Sequence, residues 1–307
     1  MKLIGRTSDS PIATVYIAED ENGRKIEFVE STQPPLTYKD KWVLIISTLF
    51  GCPVDCSFCD AGGKYNGRIG IDGLRFQVDY AVRNRWDKMD IDTDKFKIQF
   101  VRMGEPSYNS YVLDFLEEIP ERYQYRHFIP SLSTIAPHGT EKFFDRLLGI
   151  KKSLFEETFQ LQFSIHTLDQ SQRDTMVPVK KWSFAAIQDY AMDFYFETGK
   201  KVTLNFALSK SSVLDPELLS KHFDKNIFLI KITPVNPTAK ARKNGIDSLI
   251  SRNAGSYKVV EDLRAAGYEV ILSIGEWEEN QIGSNCGQYV DGIEAGSIDG
   301  GYCYRLL

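Results

Sequence analysis

The chain has 307 residues, of which 42% are hydrophobic and 26% charged, and its formal net charge is −5. That length accommodates one large domain or two ordinary ones. The acidic balance lacks the basic footprint of a nucleic-acid binder, no stretch approaches the roughly 20 apolar residues of a membrane span, and the N-terminus has no signal-peptide pattern, so a cytoplasmic protein with reduced thiols is expected.

The elements follow in chain order. "IATVYIAEDENGRKIEFVE" holds two strand-like runs around Glu21-Asn22-Gly23, a hairpin signal. "WVLIIS" (42–47) is a buried-strand run, and a cysteine-rich loop comes after it. A helical period near 73–86 follows, then the acidic stretch "DKMDIDTDK" (87–95), expected to be an exposed loop. Next come strand "FKIQFVRM" (96–103), helix "YVLDFLEEI", strand "HFIPSLST" (127–134) and helix "GTEKFFDRLLGI", which Thr140 is placed to cap. Strands "FQLQFSIH" (159–166) and "KVTLNFAL" (201–208) flank a helix near 183–197. Helix "PELLSKHF", strand "NIFLIKITPV" (226–235), helix "SYKVVEDLRAAG" and strand "YEVILSI" complete the series. Strand alternating with helix predicts parallel βα units. Six main units and a final strand are too few for a closed eight-stranded barrel; a doubly wound sheet and an open partial barrel both fit. The division expected is a hairpin extension over 1–38 and a main domain over 39–307 that ends in a loop and tail.

Three of the five cysteines, Cys52, Cys56 and Cys59, fall within eight positions of "GCPVDCSFCD". Disulfides cannot use an odd number, and a tetrahedral zinc ion would need a distant fourth ligand. Three thiolates spaced C-x3-C-x2-C suit a [4Fe-4S] cluster with one iron left without a protein ligand. Other polar residues collect at predicted strand ends, where the chemistry of α/β barrels is found: "GEP" after 103, "ST" at 133–134, "SIH" at 164–166 and "PVNP" at 234–237. A carboxylate such as Glu105 is a suitable acceptor for an ammonium group. Lys180-Lys181, Lys200-Lys201 and "AKARK" (239–243) read as solvated surface or as phosphate contacts.

The cysteine loop, with Phe58 between its last two cysteines, resembles the radical S-adenosylmethionine (radical SAM) superfamily. "MGEPSYN", "SLST", "LQFSIHTLDQSQRDTMVPV", "GKKVTLNFAL", "ITPVNP" and "NCGQ" occur in the same order in the RlmN/Cfr family of RNA adenine methyltransferases. The likeness runs from about residue 11 to Gln288. It implies a partial (β/α)6 barrel of class α/β with a small N-terminal hairpin. It implies a [4Fe-4S] cluster on Cys52, Cys56 and Cys59 whose vacant iron chelates SAM. SAM would be contacted by Phe58, Gly104, Glu105, Ser133, Ser164, Ile165, His166 and Asn236. Cys286 of "NCGQ" would accept a methyl group from SAM and pass it to an sp2 carbon. A flavodoxin or ferredoxin would supply electrons.

This sequence departs from the family at four places. The family's second catalytic cysteine, seven positions before the first cluster cysteine, corresponds to Ile45. Its hairpin-strand glutamate corresponds to Ala13, and its basic stretch before the catalytic loop to the acidic "GEWEENQIGS". The N-terminal helical domain of RlmN has no counterpart in the sequence. Cys303 in "GGYCYRLL" is a candidate replacement for the missing thiol. The resemblance therefore implies an RlmN-like C-methyltransferase of a nucleobase or nucleotide-like substrate. The alternatives are a non-methylating radical SAM enzyme acting on a small molecule or peptide, with Cys286 as hydrogen-atom donor or substrate-binding thiol, and a non-enzymatic iron–sulfur or zinc protein.

Overall fold

The computed structural model describes residues 1–7, 10–86, 89–197, 199–251, 256–275, 279, 282–284, 289–290 and the backbone of 304–306. The chain forms two units. The first takes in Met1–Pro53, Asp60–Leu132 and the described residues after Gly275; the second takes in Val54–Cys59 and Ser133–Gly275. Strands and helices are numbered in chain order.

The first unit contains β1 (Lys2–Thr7), β2 (Ala13–Glu19), β3 (Lys25–Ser31), β4 (Trp42–Ile46), α1 (Ile71–Arg85), β5 (Asp90–Ile91), β6 (Phe96–Phe100), α2 (Tyr111–Arg122), β7 (Gln124–Tyr125), nearly all of β8 (Phe128–Thr134) and β13 (Tyr304–Leu306). The expected hairpin is β2 and β3, in register from Ala13↔Ser31 to Glu19↔Lys25. Its turn forms because the Asp20 carboxylate accepts the N–H groups of Asn22 (3.0 Å) and Arg24 (2.8 Å) while Gly23 takes a positive φ of 76°. β1 pairs antiparallel with β2 on one side and β13 on the other, two strands the sequence reading did not anticipate. β3 pairs antiparallel with β4, and from there pairing is parallel, β4 to β6 and β6 to β8. The acidic stretch read as an exposed loop contains β5, which pairs with β7, and its Asp92 forms an ion pair with Lys39.

The second unit contains α3 (Glu141–Leu154), β9 (Gln160–Ser164), α4 (Gln170–Met176), α5 (Phe184–Phe194), β10 (Val202–Leu208), α6 (Pro216–Ser220), β11 (Phe228–Pro234), α7 (Ala239–Lys243), α8 (Lys258–Ala265) and β12 (Glu269–Leu272). Parallel pairing runs β9, β10, β11, β12, as the βα alternation predicts. The β10 core positions Val202, Leu204 and Phe206 are all fully buried. Phe144 of α3 packs on Trp182 with ring centroids 4.5 Å apart and on Tyr190 of α5 at 5.2 Å. Thr140 stands at the N-terminus of α3, but its hydroxyl donates to the Pro137 carbonyl (2.7 Å) and makes no side-chain cap. Among the described residues, no helix is long and apolar enough to cross a membrane.

A buried carboxylate joins three elements of the first unit. Glu30 on β3 accepts from the Tyr16 hydroxyl (2.6 Å), the Trp42 indole N–H (3.2 Å) and Arg85 Nε (3.0 Å). Burial, and then the charge of Glu30, pushes the Tyr16 hydroxyl well above its usual pKa, so it remains a donor. Glu30→Leu would strand these donors and should lower unfolding free energy by about 3 kcal/mol in urea denaturation. Glu30→Gln, which keeps an acceptor, should cost about half as much.

Candidate active site

In the first unit the site begins where β4 and β6 end. The carbonyl of Met103 accepts the N–H groups of Thr48 (2.8 Å) and Leu49 (3.2 Å), and the Ile46 carbonyl accepts those of Val101 (3.2 Å) and Arg102 (3.0 Å). The Asn109 amide donates to the carbonyls of Thr48 and Ile69, each at 2.8 Å, and so draws together the two ends of the loop that carries the cysteines. Cys52 exchanges backbone hydrogen bonds with Gly63 at 3.2 and 2.9 Å.

Two glycines make this approach possible. Gly51 has φ 70°, and a Cβ there would lie 2.5 Å from the Lys64 carbonyl oxygen; Gly104 has φ 96°, and a Cβ would lie 2.5 Å from the Leu49 side chain. Beside Gly104, Glu105 is buried and accepts from Ser107 N–H (3.1 Å) and Ser107 Oγ (2.7 Å), capping the 3-10 turn Pro106–Tyr108. The Tyr108 hydroxyl is pushed above its ordinary pKa by burial, then by the nearby charges of Glu105 and Cys52. Cys52, Gly104, Glu105 and Tyr108 therefore share one neighbourhood. Ile45, half-buried on β4, faces Val29, and the buried Ala13 faces Ser31.

In the second unit residues 54–59 carry Cys56 and Cys59. Ser57 N–H donates to the Met176 carbonyl (2.9 Å), Asn244 Nδ2 to the Ser57 carbonyl (2.6 Å) and Thr238 Oγ1 to the Phe58 carbonyl (2.8 Å). Lys240 forms an ion pair with Asp55. "AKARK" is thus a helix, α7, that braces the cysteine loop, and Lys181, whose side chain is buried, pairs with Asp174 at 2.6 Å. Phe58 packs against the cluster of Ala207, Val235 and Ala241 and meets the His166 ring edge-on, with centroids 4.9 Å apart. The Asn236 carbonyl accepts Thr238 N–H at 2.8 Å, and Ser133 Oγ accepts Gln162 Nε2 at 3.1 Å.

β9 ends at Ser164, and the turn after it folds onto β10: the N–H groups of Ile165 (2.9 Å) and His166 (3.3 Å) donate to the Asn205 carbonyl. His166 is buried, with a positive φ of 67°. Strain of this kind concentrates at functional positions. Ala207 N–H donates to His166 Nδ1 at 3.1 Å, so the neutral ring carries its proton on Nε2 and presents a donor there. Burial, and secondly the nearby Arg173 guanidinium, holds its pKa down at about 3. Among the described residues, the buried Oδ1 of Asn205 has no hydrogen-bond partner, an arrangement that a donor on a bound molecule would satisfy. The sequence reading missed Asn205; its signal was one amide inside the apolar run "KVTLNFAL".

Cys52, Cys56 and Cys59 are half-buried thiols, and thiolates are the ligands iron–sulfur clusters take. The donors are thus of the chemical kind a cluster takes. Among the described residues, no group of three or more His, Cys, Asp or Glu side chains is gathered so as to hold a metal ion. Cys286 and Cys303 lie outside the described residues.

No family model matches the chain. A relative from Corynebacterium efficiens, described as a probable dual-specificity RNA methyltransferase RlmN, is 28% identical over 253 residues, or 74% of this chain and 63% of the relative. One from Thermotoga sp. strain RQ2 with the same description is 26% identical over 79% of this chain and 72% of the relative. This chain therefore spans less than two thirds of the first of these proteins. In fold it is similar to a radical SAM methyltransferase from Sphaerobacter thermophilus: TM-score 0.67 at 20% identity, over 93% of this chain and 80% of that one. The chain is RlmN-like in sequence and has the fold of a radical SAM methyltransferase.

Gly104→Ala should cost about 2 kcal/mol or more in denaturant titrations, because the new methyl group meets Leu49 at a φ suited to glycine. The His166 pKa predicts a pH effect on the metal-free chain. Between pH 6.5 and 3 the unfolded state binds a proton that the folded state excludes, so stability is intact above 6.5 and falls as pH drops through that window. His166→Phe should remove this contribution, shrinking the stability difference between pH 7 and pH 5 by about 2 kcal/mol in urea titrations.

Proposed function

We propose that this RlmN-like radical SAM protein is a C-methyltransferase that binds a [4Fe-4S] cluster and SAM and transfers a methyl group through Cys286 to an sp2 carbon of a nucleobase or nucleotide-like substrate. The observation that carries the reading is the hydrogen bonding of Thr48 and Leu49 to Met103, which ties the start of the cysteine loop to the Gly104-Glu105 turn at the neighbouring strand end. The RlmN-like sequence and the methyltransferase fold support it.

Cys52, Cys56 and Cys59 supply three thiolates. When bound, the cluster supplies the electron that cleaves SAM, delivered from a flavodoxin or ferredoxin. Glu105 accepts hydrogen bonds from the ammonium group of SAM, and Gly104 keeps the backbone close to it. His166, neutral throughout the physiological range, donates from Nε2, and Asn205 Oδ1 accepts from the same bound nucleotide. Phe58, Ser133, Ser164, Ile165 and Asn236 complete the nucleotide contacts. Cys286 acts as the thiolate nucleophile: its sulfur forms a bond to the methyl carbon as the sulfonium–methyl bond breaks, and the thiol proton passes to solvent. Cys303 acts as the second thiol in place of Ile45.

Ile45 favours one competing reading. A side chain without a thiol, on a strand position opposite Val29, cannot resolve a protein–substrate bond. A non-methylating enzyme with Cys286 as hydrogen-atom donor would need no such thiol.

Anaerobic reconstitution should load about four iron atoms per chain, and replacing any one of Cys52, Cys56 or Cys59 with Ala should abolish SAM cleavage. After incubation with SAM, intact mass should show a species one methyl group heavier, absent from Cys286→Ala. SAM cleavage without that species would select the non-methylating reading. Cys303→Ala should confine the enzyme to a single turnover; undiminished multiple turnover would remove that role.

A further inference from the structure

In the first unit a groove of about 540 Å³ runs along α1 and reaches Arg122 of α2, a volume within the range of small-molecule sites. None of its lining residues belongs to the cysteine loop or to the Gly104-Glu105 turn. Its apolar wall is Phe76 and Tyr80, which stand one helical turn apart on the same face of α1. Their rings are inclined by 28° with centroids 6.0 Å apart. Tyr80 meets the rings of Tyr16 (5.4 Å) and Phe28 (6.1 Å) edge-on, and Phe76 meets Phe28 in the same way at 6.4 Å. The β2–β3 hairpin thus fixes both rings, yet each remains only half-buried.

The charges of the groove are matched, with one exception. Arg75 donates to both oxygens of Glu118 (2.8 and 2.6 Å) and to Asp72 (2.7 Å). Asp79 accepts two hydrogen bonds from Arg122 and one from the Tyr123 hydroxyl (2.7 Å). These pairs bridge α1 to α2, so the groove is preformed. The Arg83 side chain is 70% exposed, and its ion pair is a 3.9 Å contact with the same Asp79, beyond hydrogen-bond reach. Arg83 and Asn84 follow Tyr80 by three and four residues and so flank it on the helix surface. Asn84 Nδ2 lies 3.4 Å from the Tyr16 hydroxyl. Among the described residues, Asn84 Oδ1 and the Tyr80 hydroxyl make no hydrogen bond.

The groove therefore offers an aromatic surface, a hydroxyl and an amide oxygen beside it, and one guanidinium whose charge is not taken up. A nucleotide matches all of these: its base stacks on aromatic side chains, its ring edge hydrogen-bonds, and its phosphate pairs with arginine. We propose that this groove is a nucleotide-binding site in which a base lies on Phe76 and Tyr80 and a phosphate pairs with Arg83. One unmatched cation suits one phosphate and not a tract of nucleic-acid backbone, in keeping with the chain's net charge of −5. The ligand is a free mononucleotide or one nucleotide of a strand, which share this chemistry. The site goes beyond the proposed methyl transfer and does not depend on it.

The test uses the full chain without cluster or SAM. Stacking tolerates any base, so adenosine 5′-monophosphate serves as the probe. Titration calorimetry should show saturable binding, about tenfold tighter than that of adenosine. Arg83→Gln should weaken monophosphate binding about tenfold and leave adenosine binding unchanged; because Arg83 is exposed, this variant should keep the parent's unfolding midpoint. Tyr80→Leu should weaken both ligands about tenfold, and Phe76→Leu provides the same reading if Tyr80→Leu does not fold. Absence of monophosphate binding would overturn the proposal, as would binding that Arg83→Gln leaves intact, since that ligand sits elsewhere. A short fluorescent oligoadenylate separates the two sources. Anisotropy showing it bound about tenfold tighter than the monophosphate, and released by the same variants, identifies a strand; equal or weaker binding identifies the free nucleotide. A chain that is never methylated at Cys286 would refute the methyltransferase reading alone, because these titrations involve no catalysis.

Discussion

The acceptance of two N–H groups by the Met103 carbonyl is the constraint on which the first half of the site depends. Parallel pairing of β4 with β6 brings both strands to an end at the same level, and these hydrogen bonds continue the contact past the last ladder pair. The cysteine loop therefore leaves β4 already in contact with the Gly104-Glu105 turn. The separation is too small for a side chain at 104, which is why glycine stands there with a left-handed backbone. A loop this close to a neighbouring turn needs its backbone groups satisfied, and Asn109 and Gly63 supply those partners.

The second unit treats its part of the loop differently. Its hold on residues 54–59 comes largely from side chains: Thr238, Asn244 and Lys240, all at or near α7, reach back to Phe58, Ser57 and Asp55. The polar groups at the end of β9 are specialised by burial. His166 is denied a proton by desolvation and has its tautomer set by one backbone N–H, so it can serve only as a neutral donor on Nε2. Asn205 supplies the complementary acceptor.

Two buried carboxylates of β3 have opposite uses. Glu30 binds strands and helix α1 into one body, and its partners lie on β2, β4 and α1. Glu27, three residues earlier, faces the other side of the sheet and spends its hydrogen bonds on a terminal segment of the chain. Alternation along the strand separates the two roles. The Arg102 partner follows from this geometry, because an unpaired buried carboxylate would be far more costly than the pair.

The amino-acid sequence by itself determined the run of elements and the chemistry-bearing loop. Apolar β-branched runs between helical periods mark β4, β6, β8, β9, β10 and β11, since that signal is local. The hairpin was legible for the same reason, through Glu21-Asn22-Gly23. Only the tertiary structure decided which charges are buried together and which polar atoms lack partners. Arg102 and Glu27 are 75 residues apart, and Lys240 and Asp55 are 185 apart. β1 and β13 come from opposite ends of the chain, and their pairing joins segments that no local pattern relates. Thr140 stood where a cap was expected, yet a nearer carbonyl took its hydroxyl proton. Local pattern sets what each segment can become; strand register and burial, which arise only when distant segments meet, set what its polar groups do.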